Sequence, residues 1–235
     1  MSTSSTASKK PTSDTYAALI ARLQTLRNSA RAEKEKAYQK SRWEHWGVAL
    51  PKMDLAIREI PKDLSPQKLL SLSARLWREP VWDLKIVATR IVARDAMPAI
   101  EQLWKFVRAR VPDLDGWAVA DNLASVGSRC LLADPWRLDD VESWVASRHL
   151  WTRRAALVFT LPWTRNDRDP ERMLRWASKL ADDPEWFIQK AIGWWLRELS
   201  KRNPLRVQRF LHQHSQLKSV ARREASKYLH KKRGS

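Results

Sequence analysis

The stretch WFIQKAIGWWLREL, residues 186–199, decides the fold class. It contains no proline, and its apolar residues return every three or four positions, which is the period of an α-helix with one packed face. The predicted packed face holds Ile188, Ala191, Ile192, Trp195 and Leu196.

Two adjacent tryptophans in this helix must point in different directions, because neighbouring helical residues lie about 100° apart. Trp195 is predicted in the core, whereas Trp194 shares a stripe with Phe187, Lys190 and Arg197. Lys and Arg are seldom buried without a partner, so we expect this stripe to form a partly open basic surface, on which an indole flanked by cations suits a sugar or base beside phosphates. In the alternative, Trp194 packs against a neighbouring repeat while Lys190 and Arg197 form surface ion pairs.

The remainder of the chain is also predicted to be helical. Glycine is scarce, with 5 residues in 235, and no segment alternates cleanly between apolar and polar residues, so helix is favoured over sheet. Prolines and acidic turns divide the chain into short helical pieces. We predict thirteen helices, at 14–28, 31–42, 52–60, 66–78, 82–95, 97–110, 117–132, 138–147, 150–160, 170–181, 185–201, 204–213 and 218–231.

This series predicts an all-α fold in which antiparallel helix pairs stack as an α-solenoid with a concave basic face. The pair period is roughly 35–40 residues, near the spacing of HEAT-like repeats. Self-similarity between the pieces is weak, so a globular helical bundle stays open as an alternative. Residues 1–13 are predicted as a disordered leader and residues 14–235 as a single domain.

The chain is strongly basic, with 44 Lys and Arg against 26 Asp and Glu and a net charge of +18. Such a chain attracts polyanions, chiefly nucleic acid or an anionic membrane surface. It has no apolar run near the ~18 residues that span a bilayer, so we expect no membrane insertion. The fourteen tryptophans favour stacking or groove contacts with nucleic acid, and the alternative is a core filled with tryptophan.

Cys130 is the only cysteine, which excludes an intrachain disulfide and fits a reducing compartment. Its apolar neighbours favour a buried structural thiol over a nucleophile. We therefore expect a cytoplasmic protein, associated with the nucleoid through DNA. The five histidines have no Cys or acidic partners at ligand spacing, so we expect no metal and no cofactor.

A second informative stretch is DLDGWAVADNLASVG, in which Trp117 and Asp121 are four residues apart. That spacing places both side chains on one face of a helix beginning near Gly116. The indole offers a π face and the carboxylate a negative charge, and both can stabilise a positively charged species. The alternative is that Asp121 pairs with an arginine of the next helix.

Two further stretches carry cations that suit phosphate. In HLWTRRAALVFTLPW, Arg153 and Arg154 point to adjacent sides of a helix, so one escapes the buried stripe and can clamp a phosphate. In RAEKEKAYQKSRWEHWGVALP, Tyr38 lies among lysines and can touch a phosphate or base. The alternatives are a solvated basic face for the arginines and an exposed amphipathic helix with one aromatic anchor for Tyr38.

Together these stretches resemble the AlkD-type DNA alkylation repair glycosylases, which are built from HEAT-like repeats. The clearest match is FIQKAIGWWLRE followed by NP, against a family pattern close to F-x-x-K-A-I-G-W-x-L-R-E. GWAVAD carries the family's W-x-x-x-D pair, and LWTRRAAL its W-x-x-R-x-A segment. AYQKSRWEHWGV resembles its early Tyr-containing helix and RREASKYL its C-terminal R-E-A-x-K helix. The resemblance covers roughly residues 31–231.

The resemblance implies a base excision repair enzyme that hydrolyses the N-glycosidic bond of cationic alkylated purines in duplex DNA without base flipping. Such purines include N3-alkyladenine and N7-alkylguanine. It also implies that Trp117 and Trp194 pack on the deoxyribose at the lesion and that Asp121 is catalytic. Arg154 would grip the DNA, and Tyr38 would lie near the lesion.

The expected partner is therefore double-stranded DNA containing alkylated purines, bound by a monomer. Two other functions stay open from the sequence. One is a non-catalytic HEAT-repeat protein that binds nucleic acid through the same groove. The other is a protein-interaction scaffold, which predicts an apolar or mixed concave face in place of a basic one.

Overall fold

The computed structural model describes residues 11–94, 97–165 and 167–229. Within these ranges the chain forms thirteen α-helices and no β-strand, with one isolated β-bridge between Glu44 and Val81. The all-α prediction is confirmed. The helices are α1 Pro11–Gln24, α2 Ser29–Gln39, α3 Leu50–Arg58, α4 Pro66–Arg78, α5 Trp82–Val92, α6 Glu101–Arg108, α7 Trp117–Ala133, α8 Leu138–Trp144, α9 Leu150–Val158, α10 Glu171–Lys179, α11 Trp186–Ser200, α12 Pro204–Gln213 and α13 Ser219–Ala225.

Local signals in the sequence start several of these helices. The hydroxyl of Ser65 accepts a hydrogen bond from the backbone N–H of Lys68, and Pro66 is the first residue of α4. This is the arrangement that an N-cap serine followed by proline favours. Helix α1 begins at Pro11, three residues before the predicted start, since proline is tolerated in a first turn. The rest of the predicted leader, residues 1–10, lies outside the described residues.

The chain divides into two compact units, Met1–Pro98 and Ala99–Ser235. In the first unit α4 packs along α5, α3 packs on α5, and α1 contacts α3 and α4. Its core includes the buried carboxylate of Asp83, which accepts hydrogen bonds from the backbone N–H groups of Trp46 and Val48, each at 2.8 Å. The single domain and the solenoid running through it stay predictions.

Helix α11 is the centre of the second unit. It contacts α9, α12, α13 and a 3₁₀ turn at Leu161–Thr164, while α7 packs against α6 and α9. Cys130 is buried in this unit, and burial raises the pKa of its thiol to about 11, which fits the predicted structural role.

Tryptophan serves both the core and the surface. Eight of the fourteen tryptophans are buried, and six are at least partly exposed. The core alternative therefore accounts for only part of the tryptophan content. The six exposed ones are Trp43, Trp117, Trp136, Trp151, Trp186 and Trp194.

A close approach between α11 and α13 fixes the position of the C-terminal helix. A Cβ atom on Gly193 would lie 2.8 Å from Cβ of Glu224 and 2.9 Å from the carbonyl oxygen of Ala221. Glycine at this position lets the two backbones come together. The contact brings the carboxylate of Glu224 to α11, where it pairs with Lys190 and Arg197.

None of the helices in the described ranges is both long enough and apolar enough to cross a membrane.

Candidate functional site

A cavity of about 520 Å³ opens in the second unit, and it brings together parts of α7 and α11, the end of α9 and the turn that follows α9. Helix α7 contributes Asp121, helix α11 contributes Trp194 and Glu198, and the segment after α9 contributes Arg165. The other lining residues are Ala124, Ser125, Ser128, Val158, Leu161, Pro162 and Thr164. Two carboxylates, an indole and a guanidinium thus share one open cavity, whose other walls are mainly apolar.

The start of α7 is set by Gly116, whose φ of +135° is a conformation that residues with a side chain rarely adopt. Trp117 is the first residue of the helix and is partly exposed. Asp121 follows one turn later and is also partly exposed. The two predicted residues are thus one turn apart on α7, and of the two only Asp121 lines the cavity.

Asp121 and Arg154 form an ion pair between α7 and α9. Nη1 of Arg154 donates to Oδ1 of Asp121 across 2.6 Å. The side chain of Arg154 is 6% exposed and that of Asp121 29%. The arginine thus lies beneath the carboxylate, and the carboxylate faces the cavity.

The sequence left open the alternative that Asp121 pairs with an arginine of the next helix, and the structure shows such a pair, although its arginine is on α9 and α8 lies between. The pair also changes the interpretation of Arg154, because the buried guanidinium is directed at Asp121 instead of at solvent. A phosphate contact by Arg154 stays a prediction, and the structure favours a role in orienting Asp121.

The two adjacent tryptophans are divided as the helical period predicts. Trp195 is completely buried, and its Nε1–H donates to the carbonyl oxygen of Thr160 at 3.2 Å. Trp194 is partly exposed and lines the cavity opposite α7. The indole of Trp194 is therefore available to a ligand in the cavity that holds Asp121.

Lys190 and Arg197 are both ion-paired with a carboxylate in the structure. Nζ of Lys190 donates to Glu224 at 2.7 Å, and Nη1 of Arg197 donates to the other oxygen of the same carboxylate. Both residues are on the side of α11 that holds Gly193, which faces α13. The ion-pair alternative from the sequence describes their present contacts, and their DNA-binding role stays a prediction.

Glu224 is a buried carboxylate with three cationic partners, because Lys227 also donates to it at 3.0 Å. Burial alone would raise the pKa of Glu224. The hydrogen bonds from Lys190 and Lys227 and the positive charges of Arg197 and Lys190 outweigh burial and hold the pKa at about 2. The carboxylate is therefore ionised at neutral pH and ties α11 to α13.

Tyr38 lies on α2 in the first unit, where it is 72% exposed. Helix α2 has no buried residue at all. This placement fits the exposed helix that the sequence offered as an alternative and leaves the phenol accessible to a ligand. Contact with a lesion stays a prediction.

Sequence reasoning missed two residues of the cavity. Glu198 follows Trp194 by four residues on α11, so its helical spacing carried a usable signal. Arg165 is exposed at the cavity, and its position depends on the turn after α9. No pattern in the sequence around Arg165 distinguishes it from other arginines. Among the described residues, no three His, Cys, Asp or Glu side chains cluster as metal ligands would.

A strongly basic all-α chain with a carboxylate and an indole in one open cavity fits an enzyme that acts on a polyanion. A family model described as DNA alkylation repair enzyme matches residues 19–229. The chain therefore belongs to the DNA alkylation repair enzyme family.

A solved structure agrees with this assignment, and a second one agrees with the fold. The chain is similar to a structure titled "Predicted DNA alkylation repair enzyme from Enterococcus faecalis", with a TM-score of 0.76 and 25% identity over 88% of this chain and 98% of the other. It shares its fold with AlkD2 from Streptococcus mutans, with a TM-score of 0.60 and 20% identity over 77% and 91% of the two chains. No curated protein sequence matches the chain.

Proposed function

We propose that the protein is a monofunctional DNA glycosylase that hydrolyses the N-glycosidic bond of cationic alkylated purines in duplex DNA without base flipping. N3-alkyladenine and N7-alkylguanine are the substrates that this chemistry favours. The observation that carries the proposal is the shared cavity of Asp121 and Trp194, with Asp121 held from below by Arg154.

The departing base needs little general-acid catalysis. A purine alkylated at N3 or N7 is already positive, so it takes the electron pair of the breaking C1′–N bond and leaves as a neutral base. The sugar becomes an oxocarbenium-like cation, and water then adds to C1′ and loses a proton. The carboxylate of Asp121 stabilises the cation and accepts that proton or orients the water.

The indoles add to this stabilisation. The face of an aromatic ring attracts a cation by about 0.5–2 kcal/mol, and more when water is excluded. Trp194 offers such a face in the cavity, and Trp117 offers a second one turn before Asp121. Since these interactions strengthen as charge develops on the sugar, they favour the transition state over the bound substrate.

Binding of duplex DNA follows from the charge of the chain. Lys and Arg exceed Asp and Glu by 18, so phosphate contacts release counterions and affinity falls steeply with salt. Arg165, exposed at the cavity, is the residue best placed to hold a phosphate next to the reacting sugar. We propose that a monomer acts on DNA at the nucleoid and needs no cofactor.

Base release from methylated duplex DNA tests the proposal. The wild-type chain should release 7-methylguanine and 3-methyladenine, and Asp121→Asn should lower the rate at least about 100-fold while duplex binding is kept. Asp183→Asn is the matched control, because Asp183 pairs at 2.8 Å with Arg153, the neighbour of Arg154 on α9. Equal release rates for Asp121→Asn and the wild type would refute the catalytic role.

The Asp121–Arg154 pair also supports a second candidate, a non-catalytic protein that binds alkylated DNA. A carboxylate with a buried cationic partner is a common structural feature, and its charge is partly compensated before any ligand arrives. This candidate predicts salt-dependent duplex binding by the wild-type chain and no base release above the spontaneous rate.

A further inference from the structure

Three aromatic side chains outside the cavity form a connected cluster, which we call the aromatic platform: Trp151, Trp186 and Phe187. The rings of Trp151 and Phe187 have centroids 4.9 Å apart and are tilted by 50°. The rings of Trp186 and Phe187 are 5.0 Å apart and meet edge to face. The platform joins the start of α9 to the start of α11.

The platform is accessible. Trp186 is 53% exposed, and Trp151 and Phe187 are partly exposed. The same unit buries other large rings completely, among them Trp176 and Trp195. An exposed cluster of aromatic side chains in such a unit marks an interaction site.

The platform is linked to the candidate site through one side chain. The guanidinium carbon of Arg154 lies 6.0 Å from the ring centroid of Trp151. The same guanidinium donates to Asp121 at 2.6 Å. The side chain of Arg154 would therefore connect a ligand stacked on Trp151 with the carboxylate of Asp121, which is proposed to act on the sugar.

Cations and carboxylates both lie around the platform. Lys190, which is paired with Glu224, follows Trp186 by one turn on α11, and Nζ of Lys218 donates to the carbonyl oxygen of Pro184 at 2.6 Å. Arg148 is exposed just before α9. Of the nearby acids, Asp183 is paired with Arg153, whereas Asp182 and Glu185 are exposed.

We propose that the aromatic platform binds an unpaired nucleobase of the DNA by stacking, while Asp121 and Trp194 engage the damaged nucleotide. The inference rests on DNA as the ligand of the candidate site. Release of the damaged base leaves the opposite base without a partner, and that unpaired base then needs a surface on which to stack. Every base has a π face, so stacking on aromatic side chains captures it without regard to sequence.

The test measures binding of unmodified DNA, which separates it from base release. Fluorescence anisotropy gives the affinity for a labelled duplex with one unpaired nucleotide and for a fully paired duplex of equal length. The wild type should prefer the duplex with the unpaired nucleotide by about tenfold. Trp186→Ala should abolish this preference with little change for the paired duplex, and Trp186→Phe should retain part of it.

Trp136→Ala is the matched control, because Trp136 is 82% exposed in the same unit and belongs to neither the platform nor the cavity. It should keep the wild-type preference. The proposal is overturned if the wild type shows no preference or if Trp186→Ala keeps it. A wild type that prefers the unpaired nucleotide but releases no methylated base would retain the platform and refute the glycosylase.

Discussion

Arg154 and Asp121 form an asymmetric ion pair, in which the guanidinium is the buried member and the carboxylate is the exposed one. The two atoms in contact are 2.6 Å apart, and the side chains are 6% and 29% exposed. A buried charge is costly without a partner, so each residue fixes the other. The consequence is a carboxylate that is directed into the cavity and has little freedom to rotate away.

Replacing Arg154 separates orientation of Asp121 from phosphate binding. We expect Arg154→Ala to slow base release at saturating enzyme and to leave the affinity for paired duplex within about twofold, because the guanidinium faces Asp121. Single-turnover release and anisotropy measure the two effects. A variant that binds DNA weakly yet releases the base at the wild-type rate once bound would show that Arg154 grips a phosphate.

Replacing Arg165 should give the opposite result. Arg165→Ala removes an exposed guanidinium at the cavity, so we expect weaker duplex binding and a salt dependence reduced by the equivalent of about one phosphate contact. A titration over a range of salt concentrations measures both. Lys179→Ala, which changes an exposed cation of α10, is the control and should keep the wild-type slope.

Substitutions of the two adjacent tryptophans should have different effects: loss of Trp195 should mainly lower stability, and loss of Trp194 should mainly lower activity. Trp195→Ala empties a fully buried site and should cost about 3–5 kcal/mol of unfolding free energy. Trp194→Ala changes a partly exposed side chain in the cavity, so it should cost far less stability and slow base release. Urea unfolding together with the release assay tests the pair, and similar stability losses for both would contradict the assignment.

Glu224 predicts a specific dependence of stability on pH. Its pKa in the folded state is about 2, below the ordinary value of 4.5, so ionisation of Glu224 stabilises the folded state. This contribution, about 3 kcal/mol, is complete above pH 5 and is lost as the pH falls towards 2. The unfolding free energies of the wild type and of Glu224→Gln, measured with urea, should differ most at neutral pH and become equal in acid. A difference that is constant with pH would refute the role of ionisation.

Gly193 predicts sensitivity to a single methyl group. In Gly193→Ala the new Cβ would lie 2.8 Å from Glu224 Cβ and 2.9 Å from a backbone oxygen, so α13 must move away from α11. We expect a loss of about 1–3 kcal/mol in unfolding free energy. Ala191→Gly on the same helix is a control for the intrinsic helix propensity of the two residues. A Gly193→Ala chain as stable as the wild type would show that α13 adjusts without cost.

Features with a local cause could be predicted from the sequence. The helical period assigned Trp195 to the core and Trp194 to the surface, and the start of α4 followed from Ser65 and Pro66. The pairing of Asp121 was foreseen only as one of two alternatives, since four-residue spacing fixes a face of a helix but not what packs against it.

Contacts between distant segments of the chain could not be predicted from the sequence. Lys190 meets Glu224 only because α13 returns to α11, and Trp151 meets Phe187 only because α9 and α11 pack together. Arg165 reaches the cavity through the course of a turn. Each of these contacts is determined by tertiary packing, which a periodic pattern does not encode.

The anchoring of α11 by Glu224 has a practical consequence for protein engineering. A truncation before Ser219 would remove the only carboxylate that Lys190 shares with Arg197 in the described residues, and with it the wall against which Gly193 packs. Helix α11, which holds Trp194, is therefore anchored by a carboxylate thirty positions downstream of that tryptophan. A chain shortened in this way should therefore be compared with the full chain before any catalytic rate is interpreted.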